Sequence, residues 1–284
     1  MSETVKVAAL QMRSSTSLER NIADFEGLVR EAAGRGATYV QSPEMTGALV
    51  RDRAALKAMI ASDDKDALVA RAAQLAAELG IVVHVGSTAI ARPDGKVANR
   101  AFVFGPDGKR LATYDKIHMF DVDLDKGESW RESATYEPGR VSTVVDLPFG
   151  RVGLAVCYDL RFPQLFRAQA LAGASVLTVP AAFTRQTGEA HWHVLIRARA
   201  IENGAFVIAA AQGGLHEDGR ETYGHSLIVD PWGKVLAEAN GAEPGVVLAE
   251  IDLAASAAAR SKVPNLKNAR DFTIADDAGL ADAS

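Results

Sequence analysis

The sequence predicts an α/β fold built as a single domain, and three observations carry that prediction. Apolar runs of strand length alternate with amphipathic stretches of helix length along most of the chain. A strand–helix–strand set is complete within residues 5–41, which implies a βαβ unit with parallel pairing. No Gly/Ser/Pro-rich linker or low-complexity segment divides the 284 residues.

Residues 5–10 form a short apolar run with a β-branched start, suited to a buried first strand. Residues 21–34 place Ile22, Phe25, Leu28, Val29 and Ala32 at helical spacing, with Gly34 and Gly36 as the stop. A second strand spans 37–41 and closes at Ser42-Pro43-Glu44. Residues 66–79 repeat the helical pattern through Leu68, Ala72, Leu75, Ala76 and Leu79, and 81–85 read as a third strand. The rhythm then changes. Residues 99–104 and 109–114 flank Gly105-Pro106-Asp107-Gly108, a tight turn between antiparallel strands. The device recurs at 226–229 and 234–237 around Asp230-Pro231-Trp232-Gly233, which suggests two similar halves. Between the hairpins, strands are predicted over 144–147, 152–157 and 176–179, and helices over 162–172 and 190–202. Strands over 206–211 and 246–251 follow. The polar segment 121–132 shows little periodicity, and the acidic end of the chain from Asp276 to Ser284 is expected to be disordered or lightly docked.

Composition narrows the function. The chain is 48% hydrophobic and 24% charged, the balance of an ordinary globular protein. A net charge of -5 with no basic run argues against a nucleic-acid or membrane-surface role. No apolar segment approaches the ~20 residues of a membrane span, and Met1-Ser2-Glu3-Thr4 lacks the basic start of a secretory signal. One cysteine excludes an intrachain disulfide and fits a reducing compartment, so the cytoplasm is the expected location.

That cysteine, Cys157, ends the apolar run 152–156 and precedes Pro163, where a helix can start. A side chain at that junction faces the crevice where α/β folds place ligands. The nearby helix N-terminus is expected to lower the thiol pKa. Taken alone, a lone Cys after Leu-Ala-Val reads as a small buried hydrophobe. Glu44 ends its own strand in the same way, so both could open on one crevice. Lys116, in Tyr114-Asp115-Lys116-Ile117-His118, reads alone as half of a surface ion pair with Asp115, and Glu132 as a solvated loop carboxylate. His191 and His193 stand two apart in a helical stretch and do not share a face, and no third ligand has suitable spacing, so no metal site is expected. A Cys-His-Asp arrangement through His191, His193 or His225 stays open. No glycine-rich phosphate loop is present.

Together these motifs resemble the nitrilase superfamily of carbon–nitrogen hydrolases over residues 1–272, with 273–284 as an acidic tail. Glu44 in Ser42-Pro43-Glu44-Met45, Lys116 in its Tyr-Asp-Lys-Ile-His setting and Cys157 in Cys157-Tyr158-Asp159-Leu160-Arg161-Phe162-Pro163 match the superfamily's catalytic glutamate, lysine and nucleophile. Glu132 falls where many members carry a second glutamate. The text around Thr187-Gly188-Glu189-Ala190-His191-Trp192 and Tyr223-Gly224-His225-Ser226 is closest to the deaminated-glutathione amidase and ω-amidase branch, while the ending from Val263 to Phe272 departs from it. The resemblance implies a four-layer αββα sandwich, a homodimer or higher homo-oligomer, no cofactor and a small amide substrate. It implies Tyr158, Arg161, Phe183, Thr184 and His191 as the oxyanion and substrate contacts. Arginine's planar fork suits carboxylates, which adds Arg167, Arg197 and Arg199 to Arg161 as candidates for an acidic substrate. N-carbamoyl amino acids and nitriles are the alternatives within this chemistry. Outside it, the alternative is a non-catalytic binding protein with a structural or redox-sensing cysteine.

Overall fold

The computed structural model describes residues 4–125 and 128–274. Its first sheet is seeded by β1 (Thr4–Met12), β2 (Tyr39–Gln41) and β3 (Val82–Ala91), paired in parallel through α1 (Leu18–Gly34) and α3 (Ala67–Leu79). Side-chain alternation decides which way this sheet faces. Ala8, Leu10 and Met12 of β1 pack with Phe25 and Val29 of α1 and Leu68 and Leu75 of α3. Val5, Val7 and Ala9, on the opposite face, join the core shared with the second sheet. Caps fix where the helices begin: Ser17 accepts from the Arg20 amide and Asp66 from the Val69 amide. α1 therefore starts a turn earlier than the apolar spacing predicts. A short helix, α2 (Arg53–Met59), was not expected; Asp52 caps it.

The first hairpin is β4 (Val97–Phe104) and β5 (Arg110–Asp115), which carries the first sheet to its edge. The segment expected to be irregular holds a small hairpin, β6 (Asp121–Asp123) and β7 (Ser129–Arg131). The second sheet contains β8 (Thr143–Leu147), β9 (Gly150–Leu154), β10 (Val176–Thr178) and β11 (Phe206–Ala209), covered by α4 (Pro163–Leu171) and α5 (Arg185–Asn203). Phe166 of α4 and Trp192 and Ile196 of α5 are buried against it. Thr184 caps α5, which begins before the predicted residue 190.

The predicted single strand 206–211 is two strands. After β11 the chain crosses at Ala210 into the first sheet, where β12 (Ala211–Leu215) pairs with β1 and turns into β13 (Glu221–Tyr223). The buried Gln41 side chain receives the Ala210 amide (3.0 Å), which satisfies the backbone at the crossing. The second hairpin, β14 (Leu227–Val229) and β15 (Val235–Glu238), closes the edge of the second sheet as β4–β5 closes the first. Finally β16 (Gly245–Asp252) runs antiparallel along β1, followed by α6 (Ala254–Lys262) and α7 (Asn265–Asn268), two helices the sequence patterning did not reveal. The architecture is the four-layer αββα sandwich. Of the acidic end, residues 275–284 lie outside the described residues.

Where the layers meet beneath the strand ends, space is short. A Cβ on Gly86 of β3 would collide with the Ser42 carbonyl oxygen and with Pro180. Gly86→Ala should therefore cost roughly 2–3 kcal/mol, read as a lower urea midpoint with an unchanged denaturant slope. An unaltered midpoint would mean the layers have slack there.

Candidate active site

Four chain segments converge above this junction. Glu44 follows β2 in a turn pinned by side chains from within it and from β12. Thr46 Oγ1 donates to the Pro43 carbonyl (2.8 Å), Gln212 Nε2 donates to the Glu44 carbonyl (3.0 Å), and Met45 takes a left-handed φ of 56°. Lys116 is the first residue after β5, its amide donating to the Asn99 carbonyl (2.9 Å). Glu132 opens a 3-10 turn after β7, and its Oε2 accepts from the Phe120 amide (2.7 Å). Cys157 begins the 3-10 turn 157–161 beyond β9.

Cys157 itself has a φ of 49°, a conformation that costs a non-glycine residue about 1–3 kcal/mol. The surroundings over-determine it. The Cys157 amide donates to the Pro180 carbonyl (2.9 Å), and Asp159, fully buried two residues on, acts as the anchor. Its Oδ2 accepts from the Val156 amide (2.8 Å) and the Tyr114 hydroxyl (2.7 Å), and its Oδ1 from the His118 amide (3.0 Å). His118 Nδ1 lies 2.6 Å from that same oxygen, and its ring stacks on Phe162 at 3.5 Å between centroids. Tyr114 and His118 flank Lys116 in sequence. One buried carboxylate therefore ties the lysine segment to the cysteine turn.

The charges form a tight set. Lys116 Nζ donates to Glu44 Oε1 (2.8 Å) and to both oxygens of Glu132 (3.0 and 2.8 Å). Asn99 Nδ2 bridges the two carboxylates (2.9 and 3.1 Å), and the Ala182 amide donates to Glu44 Oε2 (2.9 Å). Asp115 is not the partner of Lys116; it is taken by Arg100 at 2.6 Å. Lys116, Glu44 and Cys157 are only 2%, 4% and 7% exposed. Burial pushes Glu44 up, but the Lys116 charge and hydrogen bonds from Lys116, Cys157 and Asn99 outweigh it and leave the carboxyl below its ordinary value. Burial likewise opposes the Lys116 ammonium, and the Glu132 and Glu44 charges reverse that, holding it well above an ordinary lysine. Cys157 departs from expectation. The helix α4 starts only at Pro163, and burial followed by the Glu44 charge pushes the thiol well up. It is a protonated thiol beside a carboxylate, not a stored thiolate.

A cavity of about 360 Å³ opens on these groups. Glu44, Lys116, Glu132, Cys157, Tyr158, Phe183 and Thr184 all line it. Arg161 and His191 do not: Arg161 lies over the Tyr158 and Phe183 rings and donates to His191 Nδ1 (3.1 Å), behind the wall. Arg197 donates to the Gly233 carbonyl and Arg199 to the Leu160 carbonyl, both as structural ties. Arg167 is also absent from the lining. The cavity's arginines are instead Arg51, Arg53, Arg131 and Arg220, in segments with no sequence signal. Arg51 and Arg220 both lie over the Trp130 indole, at 4.5 and 4.6 Å from its centroid. Arg220 is largely buried, and its Nε has no hydrogen-bond partner among the described residues. Burial lowers its pKa. Asn99 could have been suspected as the lone amide in an apolar strand.

The chain has relatives among known proteins. The carbon-nitrogen hydrolase family matches residues 6–261, and the chain belongs to that family. It is therefore a hydrolase of carbon–nitrogen bonds. It is 40% identical over 265 residues to the deaminated glutathione amidase of Synechocystis, covering 92% of this chain and 96% of that one. The crystal structure of the C. elegans NitFhit protein superposes with a TM-score of 0.87 at 33% identity, covering 94% of this chain and 65% of that longer one. A Glu-to-Gln mutant of the Nesterenkonia amidase, with acrylamide added to its active-site cysteine, superposes with a TM-score of 0.75 at 25% identity. That comparison covers 92% of this chain and 98% of the other.

Glu44's lowered pKa has a consequence for stability. A depressed carboxyl contributes stability above its ordinary value of 4.5 and loses it as pH falls through the folded-state value. Glu44→Gln should give a shallower fall of unfolding free energy below pH 4.5 than the wild type, measured by urea titration across pH. Parallel curves would show that Glu44 is not held in its charged form.

Proposed function

We propose that this enzyme is a cysteine-dependent amidase that hydrolyses a small carboxylate-bearing amide through a thioester. The observation that carries the reading is Lys116 clamped between Glu44 and Glu132 in a cavity shared with the Cys157 thiol. Cys157 Sγ attacks the amide carbonyl carbon while its proton passes to Glu44, so no free thiolate is needed. The developing oxyanion is met by the Lys116 ammonium and the Tyr158 amide. Glu44 then protonates the leaving nitrogen, the C–N bond breaks, and ammonia or an amine departs. Water attacks the thioester, gives its proton to Glu44, and releases the acid with the thiol restored. Glu132, bonded to Lys116 through both oxygens, acts as a positioning residue for that ammonium. His191, His193 and His225 do not line the cavity, so a Cys-His mechanism has no support in the geometry.

The substrate follows from charge. The reacting end holds two carboxylates against one ammonium, whereas Arg51 and Arg220 stand together at Trp130; Arg220 lies 3.5 Å from Asp218, and its buried Nε has no partner among the described residues. An amide whose far end is a carboxylate fills both ends, as deaminated glutathione or the ω-amide of a 2-oxo acid does. Ammonia or amine release should be measured over these two classes, N-carbamoyl amino acids and simple nitriles. The carboxylate-bearing amides should turn over, Cys157→Ala should be inactive, and Glu44→Gln should fall by about 10²–10⁴ in kcat. Arg220→Ala should raise KM about 10–100-fold, the loss of one charged hydrogen-bond pair, with kcat nearly kept. Turnover surviving Glu44→Gln but lost in His225→Ala would replace the mechanism, and an unmoved KM in Arg220→Ala would remove the anion site.

The reading extends to a homodimer in the cytoplasm. A single cysteine supports a reducing compartment. The dimer is supported by exposed apolar side chains: Leu171 of α4, Val194 and Ile201 seven residues apart on α5, and Trp232 in the β14–β15 turn. The Ile201 side chain lies against Gly233, continuing the patch onto that turn. Ile201→Glu should halve the mass seen by light scattering. A wild-type monomer would end this part of the proposal.

A further inference from the structure

Away from the cavity, α5 and the second hairpin bring together three side chains that the mechanism does not use. His193 of α5, His225 after β13 and Glu238 of β15 each offer one metal-ligating atom, and these atoms all lie within 4.8 Å of one another. His193 Nε2 is 2.8 Å and His225 Nδ1 2.7 Å from Glu238 Oε1. An ionised carboxylate only accepts, so both ring nitrogens carry the proton in this state. Two N–H groups aimed at one oxygen are the arrangement a cation could replace.

The backbone around the cluster is built rather than incidental. His225 takes a left-handed φ of 55° next to Gly224, and the neighbouring Trp192, buried in α5, donates its indole N–H to the His225 carbonyl (2.9 Å). Tyr223 stacks on the His225 ring at 4.3 Å and meets His193 edge-on at 5.9 Å. Gly188 leaves α5 bare where Tyr223 presses against it. The rings therefore have fixed directions. Each of the three side chains stays about a third exposed, so an ion can enter from solvent and keep a water.

We propose that His193, His225 and Glu238 form a binding site for a divalent transition ion, zinc foremost, separate from the reacting centre. Two imidazoles and one carboxylate suit zinc and leave a position open, whereas magnesium and calcium prefer all-oxygen sets. In a tetrahedral site at ordinary zinc–ligand distances the donors stand ~3.3 Å apart. The hydrogen-bonded pairs thus part by roughly half an ångström as the ion enters. Each imidazole proton now shared with Glu238 moves to the ring's other nitrogen, and the freed lone pair binds the ion. Sequence spacing concealed the set, because the ligands are 32 and 13 residues apart and belong to three elements.

The test is isothermal titration of the full chain with zinc chloride in a non-chelating buffer, with cobalt(II) absorption as a second probe. One ion per chain is expected. Glu238→Gln, which keeps the volume and the hydrogen-bond acceptor, and His193→Gln should each weaken binding at least about tenfold, as loss of a ligand exceeds loss of an outer contact. Cys157→Ala should bind as the wild type does. The thermal midpoint without metal identifies a variant that fails to fold, and the other then carries the comparison. No saturable binding, equal affinity in the Gln variants, or binding lost in Cys157→Ala would each overturn the site.

Discussion

The structure depends on one buried ammonium. Lys116 would not sit 2% exposed in an apolar interior without two carboxylates in contact, because the desolvation of an unpaired charge costs several kcal/mol. Those carboxylates come from separate segments, Glu44 beyond β2 and Glu132 beyond β7, so pairing the charge also closes the chain around the cavity. Asn99 Nδ2 donates to one oxygen of each. The second negative charge is then available to accept a proton, which is what a thiol with a raised pKa beside it requires. Stability and chemistry are met by the same atoms.

The alternation of strands and helices was legible in the sequence because each element rests on a local signal, whereas their stacking into four layers was implied only by the family resemblance. Alternation sets the faces of β1, helical spacing sets α1 and α3, and Pro-Gly turns set both hairpins. Glu44, Lys116 and Cys157 were legible as motifs beside strand ends and Glu132 only through the family resemblance, and the fold brings all four to one cavity. What stayed hidden was decided by distant partners. The crossing at Ala210 looks like one continuous strand, since both of its halves are apolar and buried and only their pairing differs. The cavity's arginines were sought beside the cysteine and along α5, where Arg197 and Arg199 instead donate to backbone carbonyls. Arg51 and Arg220 sit in irregular segments where periodicity says nothing. The thiol's pKa was misjudged for a similar reason: proximity to a helix start in sequence is not proximity in space when a 3-10 turn intervenes.

Asp159 shows how a short motif can encode long-range order. Its two oxygens collect Val156, Tyr114 and His118, so the Cys-Tyr-Asp and Tyr-Asp-Lys-Ile-His motifs form one structural unit. The left-handed turn at Cys157 persists because this buried acceptor holds both sides of it.

The crossing at Ala210 reaches further than topology. Glu44 and Lys116 hang from strands of the first sheet and Cys157 from a strand of the second, so the proposed base and nucleophile belong to opposite layers. The gap between them is governed by how the two inner faces interdigitate, a spacing of ~10 Å set by many side chains. Crossing directly from β11 to β12, with Ala181 bonded to Ala210 and Gln212, the chain rivets the layers beside the reacting groups. Each core side chain between the sheets therefore acts as a shim. Its volume sets the travel of a proton as well as the fit of the fold.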